Sequence, residues 1–401
     1  MAPRRFPRRA AVLLLALLTV VAAGGPAETL PRGQRHRATA PFRHPGVLVG
    51  SAQLRAVRAR VNDGDRPFRA FRAMRRSRYG RLSYVPHPVP VVECPPDTNP
   101  GVGCTDERED AIAAYTHALI WAVTRDRTHA EKAVQIMDAW SARLTDHTEG
   151  NAPLQAAWAG SSWARAAELM RATYDGWPRA GVRRFERLLR DAYLPEVTGA
   201  VPDYNGNWDL AMTDAAIGIA VFLDDRHAYD EALRRFRARV PAYFYVHADG
   251  PRPKPPPGGE IDTAEEITTY WFGQRTYPEG LAQEACRNLM HVGYALAATA
   301  HIAETARLQG TDLYAEVQPR ITAALELHSR YQLGERPPAS LCGGRVERTM
   351  GPDLEVAYHH YHDRRGVDLP QTARLLARQR PGGTDDLFVA WETLTHAAGP
   401  G

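Results

Sequence analysis

The stretch E-G-L-A-Q-E-A-C-R-N-L-M-H-V-G-Y-A-L-A-A-T-A-H-I-A-E-T-A-R-L-Q-G-T-D-L-Y, Glu279–Tyr314, decides the predicted fold. Pro278 precedes it and Gly310 lies near its end, and these are residue types that commonly begin and end a helix. Apolar residues recur at helical spacing along one side, at Leu281, Ala285, Leu289, Val292 and Leu296. The pattern therefore predicts one long helix whose apolar face packs into a core.

The other side of this predicted helix carries a mixed polar set, Glu284, Arg287, His291 and Tyr294. At about 100° per residue, these four side chains share an arc of about 80°. Such a combination is unusual on a surface helix, where lysine and glutamate predominate. Two interpretations stay open at this point. The set is either a functional site, or a Glu284–Arg287 ion pair beside a hydrogen-bonded histidine and a tyrosine at a packing edge.

The start of the chain predicts export. Met1–Ala23 has four arginines and then an apolar run that is too short for a confident membrane span. Cleavage after Ala23 or Ala27 suits the small residues there, so we assign residues 1–27 to a signal peptide, 28–45 to a linker and 46–401 to one domain. The Arg8-Arg9 pair is also compatible with the twin-arginine route. No later stretch is apolar enough to cross a membrane, so we expect a secreted protein without membrane contact.

Composition and charge narrow the function. The chain has 401 residues, of which 44% are hydrophobic and 24% charged, values that are typical of a globular protein. The formal charge of +4 falls to about 0 once the four signal-peptide arginines are removed. A nucleic-acid partner is therefore not expected, and any attraction for an acidic ligand has to be local.

Four cysteines in an exported protein predict two disulfides. Cys94 and Cys104 bracket a short loop rich in proline and glycine, which favours a local bond between them. Cys286 and Cys342 then remain as the second pair. Four cysteines allow three pairings, and the spacing does not exclude the other two. Zinc binding would need a denser set of ligands.

The remaining chain is helical in pattern, and alternation of period two is almost absent. The candidate helices outside the opening stretch are Ser51–Asn62, Pro67–Arg78, Asp106–Arg125, Thr128–Leu144, Leu154–Tyr174, Pro178–Tyr193, Trp208–Leu223, Arg226–Val240, Thr263–Phe272 and Leu313–Tyr331. Short connections predict antiparallel neighbours. The fold class is all-α, as a bundle or an α/α toroid, and the number of helices favours the toroid.

Three other stretches attract attention. Asp203–Trp208 places two amides and an indole before a predicted helix. The stretch is either part of an anion site, because backbone N–H groups at a helix N-terminus favour anions, or an ordinary turn with Asn207 as N-cap and Trp208 in the core. His247–Glu260 is rich in proline and glycine, and is either a loop at the rim of a site or a rigid connector. Tyr358–His362 holds three histidines, which indicate a packed helix with surface histidines more strongly than a metal site.

Several of these motifs together resemble the alginate lyase family, especially its secreted members. The resemblance rests on E-A-C-R-N-L-M-H-V-G-Y, on the upstream N-G-N-W, on A-E-T-A-R-L-Q-G-T-D-L-Y and on the terminal W-E-T-L-T-H. It implies an α/α toroid, and an active-site arginine and tyrosine seven residues apart, here Arg287 and Tyr294. It also implies amides at Asn205 and Asn207, although the histidine that usually belongs to that turn is absent. No organic cofactor is expected, and many members need no metal.

The chemistry implied is cleavage of a 4-linked uronate polymer, alginate or a relative such as glucuronan, by β-elimination. The catalytic set is then Asn205, Asn207, Arg287, His291 and Tyr294. Arginine and amides stabilise the charge that develops on the substrate carboxylate, and a tyrosine whose pKa a neighbouring arginine lowers acts as base and then as acid. His291 either replaces the missing histidine or acts as base. The expected substrate-binding residues are Trp208, His247, Tyr270, Gln283 and Glu284.

Two alternatives from other classes remain. A glycoside hydrolase on the same toroid would need two carboxylates about 5–10 Å apart, with Asp203 and either Glu260 or Glu284 as candidates. A non-catalytic protein that binds polysaccharide is the other, because the usual histidine is missing from the turn. The acidic polymer acted on, endo or exo action and the oligomeric state are not set by the sequence.

Overall fold

Helices dominate the computed structural model, which describes residues 40–63, 66–96, 101–201 and 203–397. In chain order they are α1 Ser51–Asn62, α2 Arg66–Arg76, α3 Cys104–Thr124, α4 Arg127–Ser141, α5 Ala152–Thr173, α6 Arg179–Leu188, α7 Leu194–Thr198, α8 Gly206–Phe222, α9 Arg226–Tyr243, α10 Ala264–Tyr270, α11 Leu289–Leu308, α12 Leu313–Gln332, α13 Glu355–Tyr358, α14 Pro370–Gln379 and α15 Glu392–His396. The described residues from Pro41 onward form one compact unit. The predicted signal peptide lies outside the described residues.

The core is an inner ring of α3, α5, α8 and α11, each of which packs against the next. These helices are buried on nearly every side and are rich in alanine, and apart from the charged start of α3, residues 106–110, they have few charged residues. A helix that is apolar all round can only be stable inside the protein. Outer helices α4, α9 and α12 pair with α3, α8 and α11 respectively, and each of these buries one stripe of side chains.

This double layer of antiparallel helices is the α/α toroid that the sequence predicted. The strands are minor: β1 Gly46–Val47 pairs antiparallel with β2 Val49–Gly50, and β3 Val91–Glu93 pairs parallel with β4 Asp146–Thr148. Each strand has only two or three residues. The all-α prediction is therefore confirmed. No helix in the part of the chain that the structure describes is both long and apolar enough to span a membrane.

The predicted start of the central helix is wrong. The helix begins at Leu289, ten residues after Glu279, because Gly280 has φ +83° and the next residues form turns. Asn288 takes the N-cap position, and its side chain accepts a hydrogen bond from the backbone N–H of His291. Glu284 therefore lies in a turn before the helix and not on its surface. The helix ends at Leu308, and Gly310 closes it as predicted, with φ +94° just after the C-cap residue Gln309.

Both predicted disulfides are present. Cys94 and Cys104 have Cα atoms 6.0 Å apart, and those of Cys286 and Cys342 are 5.0 Å apart. The second bond joins the turn before α11 to the segment after α12. It therefore ties this turn to that segment.

The histidines of Tyr358–His362 are engaged in packing rather than arranged around a metal. The ring of His360 stacks on Tyr314 with centroids 3.6 Å apart and is buried, so the expectation of surface histidines is wrong for this residue. His362 stacks on Tyr358, and His359 pairs with Asp363. No group of three or more metal-binding side chains occurs within the described ranges.

Candidate active site

The turn before α11 is built around a buried carboxylate. Glu284 is inaccessible to solvent and accepts three hydrogen bonds. Arg287 Nη1 lies 2.8 Å from its Oε1, Asn207 Nδ2 2.5 Å from its Oε2, and the Tyr243 hydroxyl 3.0 Å from its Oε2. This carboxylate joins the turn before α11 to the start of α8 and the end of α9. It thereby brings Asn207 and Arg287 together, although 80 residues separate them in sequence.

Burial and hydrogen bonding act on Glu284 in opposite directions. Burial raises the pKa of this carboxyl, while the hydrogen bonds from Arg287, Asn207 and Tyr243 oppose the rise. With a guanidinium and an amide as donors, the ionised form is the one that the site accommodates. Because its oxygens are occupied, Glu284 positions its neighbours and is poorly placed to touch a sugar.

A second hydrogen-bonded group orients Asn205 beside this cluster. Gln283 Nε2 donates to Asn205 Oδ1 at 3.0 Å and to the backbone carbonyl of Tyr270 at 2.6 Å. Gln283 Oε1 accepts from the backbone N–H of Gly206 at 3.2 Å. Since the side-chain oxygen of half-buried Asn205 is already used, its two N–H donors are the part that a ligand can meet. Asn205, not Asn207, also holds the N-cap position of α8.

His291 is held as a neutral base at the first turn of α11. Its Nδ1 lies 2.6 Å from Asn288 Oδ1, an acceptor, so Nδ1 carries the hydrogen and Nε2 keeps its lone pair. Burial and the nearby charge of Arg287 lower the pKa of His291 to about 4. The imidazole is therefore uncharged at neutral pH.

Tyr294 lies one turn further along α11, with its ring centroid 5.8 Å from that of His291. It packs edge-on against Phe388, and burial, followed by the charges of Asp385 and Asp353, raises its pKa above the ordinary value. The expectation that an arginine lowers this pKa is wrong. Arg108 does act in that direction, but the raising effects are larger. The phenol is thus a proton donor at rest.

The remaining expected substrate-binding residues differ in their placement. Trp208 is half-buried at the start of α8, edge-on to Tyr204 with centroids 4.9 Å apart, and so is not a fully buried core residue. The Tyr270 hydroxyl donates to the Tyr204 carbonyl at 2.8 Å. His247 is exposed and pairs with Glu279 at 2.9 Å. The loop that follows His247 is irregular apart from one short 3₁₀ turn.

Sequence reasoning missed two residues of the cluster. Asn288 orients His291, and an asparagine immediately before an apolar helical run is a recognisable N-cap signal that could have located it. Tyr243 supports Glu284 from the end of α9, and no local pattern marks it, because its role depends on how α9 packs.

Glu284→Gln should lower the free energy of unfolding by about 1.5–3 kcal/mol and raise KM for an acidic polymer, because Arg287 loses a charged partner. Urea unfolding and steady-state kinetics would measure the two effects. Glu265→Gln is the matched control, since Glu265 pairs with Arg275 on the surface, and it should change neither quantity appreciably. Unchanged stability and KM in Glu284→Gln would contradict the role given to this carboxylate.

Comparison with known proteins places this site in context. Residues 101–252 match the family model described as Alginate lyase. The match supports the family resemblance and includes the N-G-N-W turn, whereas the other three motifs lie after residue 252. No curated protein matches the chain significantly.

Solved structures share the fold. Alginate lyase A1-III from Sphingomonas species A1 superposes with a TM-score of 0.57 at 16% identity, covering 84% of this chain and 93% of that one. A variant of alginate lyase A1-III in complex with a tetrasaccharide gives 0.57 at 16% identity, covering 92% and 100%. An alginate lyase from Bacteroides ovatus gives 0.55 at 14% identity, covering 88% and 99%. At these identities the likeness concerns the fold.

Proposed function

We propose, on the premise that residues 101–252 are an alginate lyase region within an α/α toroid, that this protein is a polysaccharide lyase. Its substrate is a 4-linked polyuronate, alginate or a relative such as glucuronan, which it cleaves by β-elimination. The observation that carries the proposal is the junction of Arg287 and Asn207 on buried Glu284, close to His291 and Tyr294. The chemistry needs a carboxylate clamp and proton-transferring groups at one sugar ring, and this region supplies both.

The clamp acts on the substrate carboxylate. Removing the C5 proton moves negative charge onto the adjacent carboxylate, and hydrogen bonds that strengthen as this charge grows lower the barrier. Arg287 is held by Glu284 but keeps 36% of its side chain exposed, so part of its guanidinium can meet a ligand. The N–H donors of Asn205 are the second candidate contact. Asn207 is buried and already donates to Glu284, so it holds Glu284 in place and does not meet the substrate.

The two proton transfers divide between His291 and Tyr294. Neutral His291 offers the Nε2 lone pair as the base that takes the C5 proton. Tyr294, whose raised pKa keeps it protonated, gives its phenolic proton to the O4 leaving group. The electron pair of the C5–H bond forms the C4–C5 double bond as the C4–O4 bond breaks. The two rings lie edge-on to each other with centroids 5.8 Å apart, so one sugar that lies across both rings can meet the base and the acid.

The pH dependence tests the role of His291. A pKa of about 4 predicts that kcat/KM stays nearly constant from pH 7 to about pH 5 and falls only as the pH approaches 4. The sign follows because the neutral imidazole is the active form and its folded-state pKa lies below the ordinary value of about 6.5. A profile of initial rates against pH measures it. An acidic limb centred between pH 6 and 7 would contradict the assignment.

Ultraviolet absorbance of the product tests the function as a whole, because only elimination creates a C4–C5 double bond. Purified protein would be offered alginate, glucuronan, hyaluronan and pectate in parallel. Absorbance that rises with one or more polymers is the expected result. Reducing ends without absorbance would indicate a hydrolase, and binding without either signal would indicate a non-catalytic binding protein.

The same proposal includes the partner and the location. The partner is an acidic polysaccharide, met by Arg287 and by Asn205. Two disulfides fit an extracellular protein, and the predicted signal peptide supports secretion. Detection of the processed chain in culture medium, with an N-terminus after Ala23 or Ala27, would test this.

A further inference from the structure

A basic cavity of about 560 Å³ lies on the connection between α12 and α13, residues 333–354. Three of the residues that line it are arginines, Arg336, Arg345 and Arg348. The others are small or apolar: Pro337, Ala339, Gly343, Gly344 and Val346. Its volume is in the range of small-molecule sites. The cavity therefore gathers positive charge, and no acidic side chain is among the described residues of its wall.

The arginines of this cavity have no carboxylate partner in the part of the chain that the structure describes. All three are exposed, and Arg336 and Arg345 make no side-chain hydrogen bond there. Arg348 Nη2 donates to one backbone carbonyl at 3.1 Å. The neighbouring carboxylate of Glu335 is engaged elsewhere, since it pairs with Arg330 at 3.4 Å. Three exposed cations without a counter-charge attract an anion.

The connection lies at the same end of the toroid as the candidate active site. α12 starts beside the second half of α11, where the Tyr314 hydroxyl donates to the Ala300 carbonyl at 3.0 Å, and runs back antiparallel to it. The connection that follows reaches the start of α11, where the backbone N–H of Leu289 donates to the Glu347 carbonyl at 2.8 Å. The cavity is therefore a neighbour of the turn that carries Arg287.

The disulfide between Cys286 and Cys342 limits the distance from the cavity to the arginine of the site. Cys286 precedes Arg287, and Cys342 precedes Gly343, which lines the cavity. The two cysteine Cα atoms are 5.0 Å apart, and each peptide step adds about 3.8 Å. The Cα atoms of Arg287 and Gly343 therefore lie within about 13 Å of each other. A short run of linked sugars can cover this distance.

The chemistry of the proposed substrate matches this arrangement. A polyuronate carries one carboxylate on every sugar, so a chain whose reacting unit lies at Arg287 presents further carboxylates at short intervals. A chain that extends past the disulfide brings one of them to the cavity. Because both contacts belong to one molecule, the second forms at a high effective concentration. A free inorganic anion has no such advantage.

We propose that this cavity is a distal subsite, which holds another uronate unit of the polymer chain that reacts at Arg287. Its arginines bind the carboxylate of that unit, while Arg287 meets the carboxylate of the reacting unit. The inference rests on the proposed polyuronate substrate, and adds a second place on the protein where this substrate is held.

Gly343 allows the charge of the cavity to be changed without a clash. Its φ is +62°, in the left-handed region that aspartate and asparagine adopt more readily than most residues, and a Cβ atom there would meet no atom within 4 Å. Gly343→Asp should weaken the binding of long alginate or glucuronan about tenfold, since its carboxylate competes for the arginines and repels the polymer. Gly343→Asn has the same size, so the difference between the two variants measures the effect of charge.

A second control separates this effect from a change in net charge. Gly366 has φ +70° and equally open surroundings, and it follows Arg364, which bonds Glu304. Glu304 lies 13 residues beyond His291 on α11, roughly 20 Å along the helix. Gly366→Asp therefore adds the same charge at the other end of the toroid, and should bind the polymers as the unaltered protein does.

Binding and turnover are measured separately. Calorimetry in the Tyr294→Phe background gives the dissociation constants for alginate and glucuronan, because this variant should not consume them. Product absorbance with Gly343→Asp alone shows whether the effect falls on KM, as expected, and not on kcat. The double variant Arg336→Gln/Arg345→Gln, which removes two exposed cations without a partner to lose, should weaken polymer binding about three- to tenfold.

The outcomes distinguish the subsite from the lyase reaction. Polymer binding that neither Gly343→Asp nor the double variant weakens would overturn the subsite, as would equal weakening by Gly366→Asp, even if product absorbance appears. Absence of product absorbance in the unaltered protein, together with binding that Gly343→Asp weakens, would overturn the lyase reaction and support the subsite. Absence of polymer binding would overturn both.

Discussion

Tyr294→Phe should reduce kcat by about a thousandfold while leaving the affinity for the polymer nearly unchanged. General-acid catalysis by a positioned side chain contributes typically about 10²–10⁴-fold, and phenylalanine keeps the ring but loses the proton. The edge-on packing of the ring against Phe388 and His291 does not depend on the hydroxyl, so the fold should persist. Product absorbance gives kcat, and calorimetry on the inactive variant gives the dissociation constant.

Two further variants make the result interpretable. Arg287→Ala should weaken both binding and turnover, because the guanidinium meets the carboxylate in the ground state as well as in the transition state. Tyr174→Phe, at the end of α5 beside Arg127, removes a phenol outside the candidate site and should leave kcat unchanged. Full turnover in Tyr294→Phe would remove this residue from the mechanism, although the toroid would be unaffected.

The largest effect on stability is expected at the centre of the inner ring. Arg165→Met should lower the free energy of unfolding by about 3–5 kcal/mol, since it leaves Asp214 buried without its guanidinium partner. Arg165 is 1% exposed, and its Nη2 lies 2.7 Å from Asp214 Oδ2. Its Nη1 also donates to the Phe388 carbonyl at 2.6 Å. Urea unfolding followed by circular dichroism measures the change.

A surface pair provides the control for this variant. Arg237 bonds Glu316 with both its Nε and Nη2 atoms at 2.8 Å, but both side chains are about 40% exposed. Arg237→Met should therefore cost less than about 1 kcal/mol. Equal losses in Arg165→Met and Arg237→Met would show that burial does not decide the energetics of these pairs.

The loss of the Phe388 contact should also lower kcat in Arg165→Met, because Phe388 packs against Tyr294.

The fold could be predicted because most of its helices carry local signals in the sequence. α1 was predicted with its observed bounds, and α9 was predicted to start at Arg226, as observed, since Asp225 before it is a good N-cap. The start of α11 was not predictable from periodicity alone. Apolar residues at Leu281 and Ala285 continue the helical pattern, and both are buried, but in turns that pack on the core. The spacing of these two apolar residues reflects their burial and not a helix.

The candidate site divides in the same way. The pairing of Glu284 with Arg287 could be predicted because three residues separate them, and it survives in a turn. The link from Glu284 to Asn207 and Tyr243 could not, since it depends on how the ends of three helices meet. The direction of the Tyr294 pKa shift was missed for a related reason. Burial and two carboxylates that are far away in the sequence decide the direction of this shift, and neither is visible in a local motif.

The bond between Cys286 and Cys342 makes the position of Arg287 depend on the redox state of two cysteines. Cys286 is the immediate neighbour of Arg287, whereas the inner helices are held mainly by apolar packing, and the other disulfide, Cys94–Cys104, lies at the start of α3. Reduction of this bond would free the turn on one side and leave the toroid assembled. The protein would then stay folded, but the turn that carries Arg287 would no longer be held in position. The position of Arg287 is therefore tied to the oxidising conditions under which this disulfide persists.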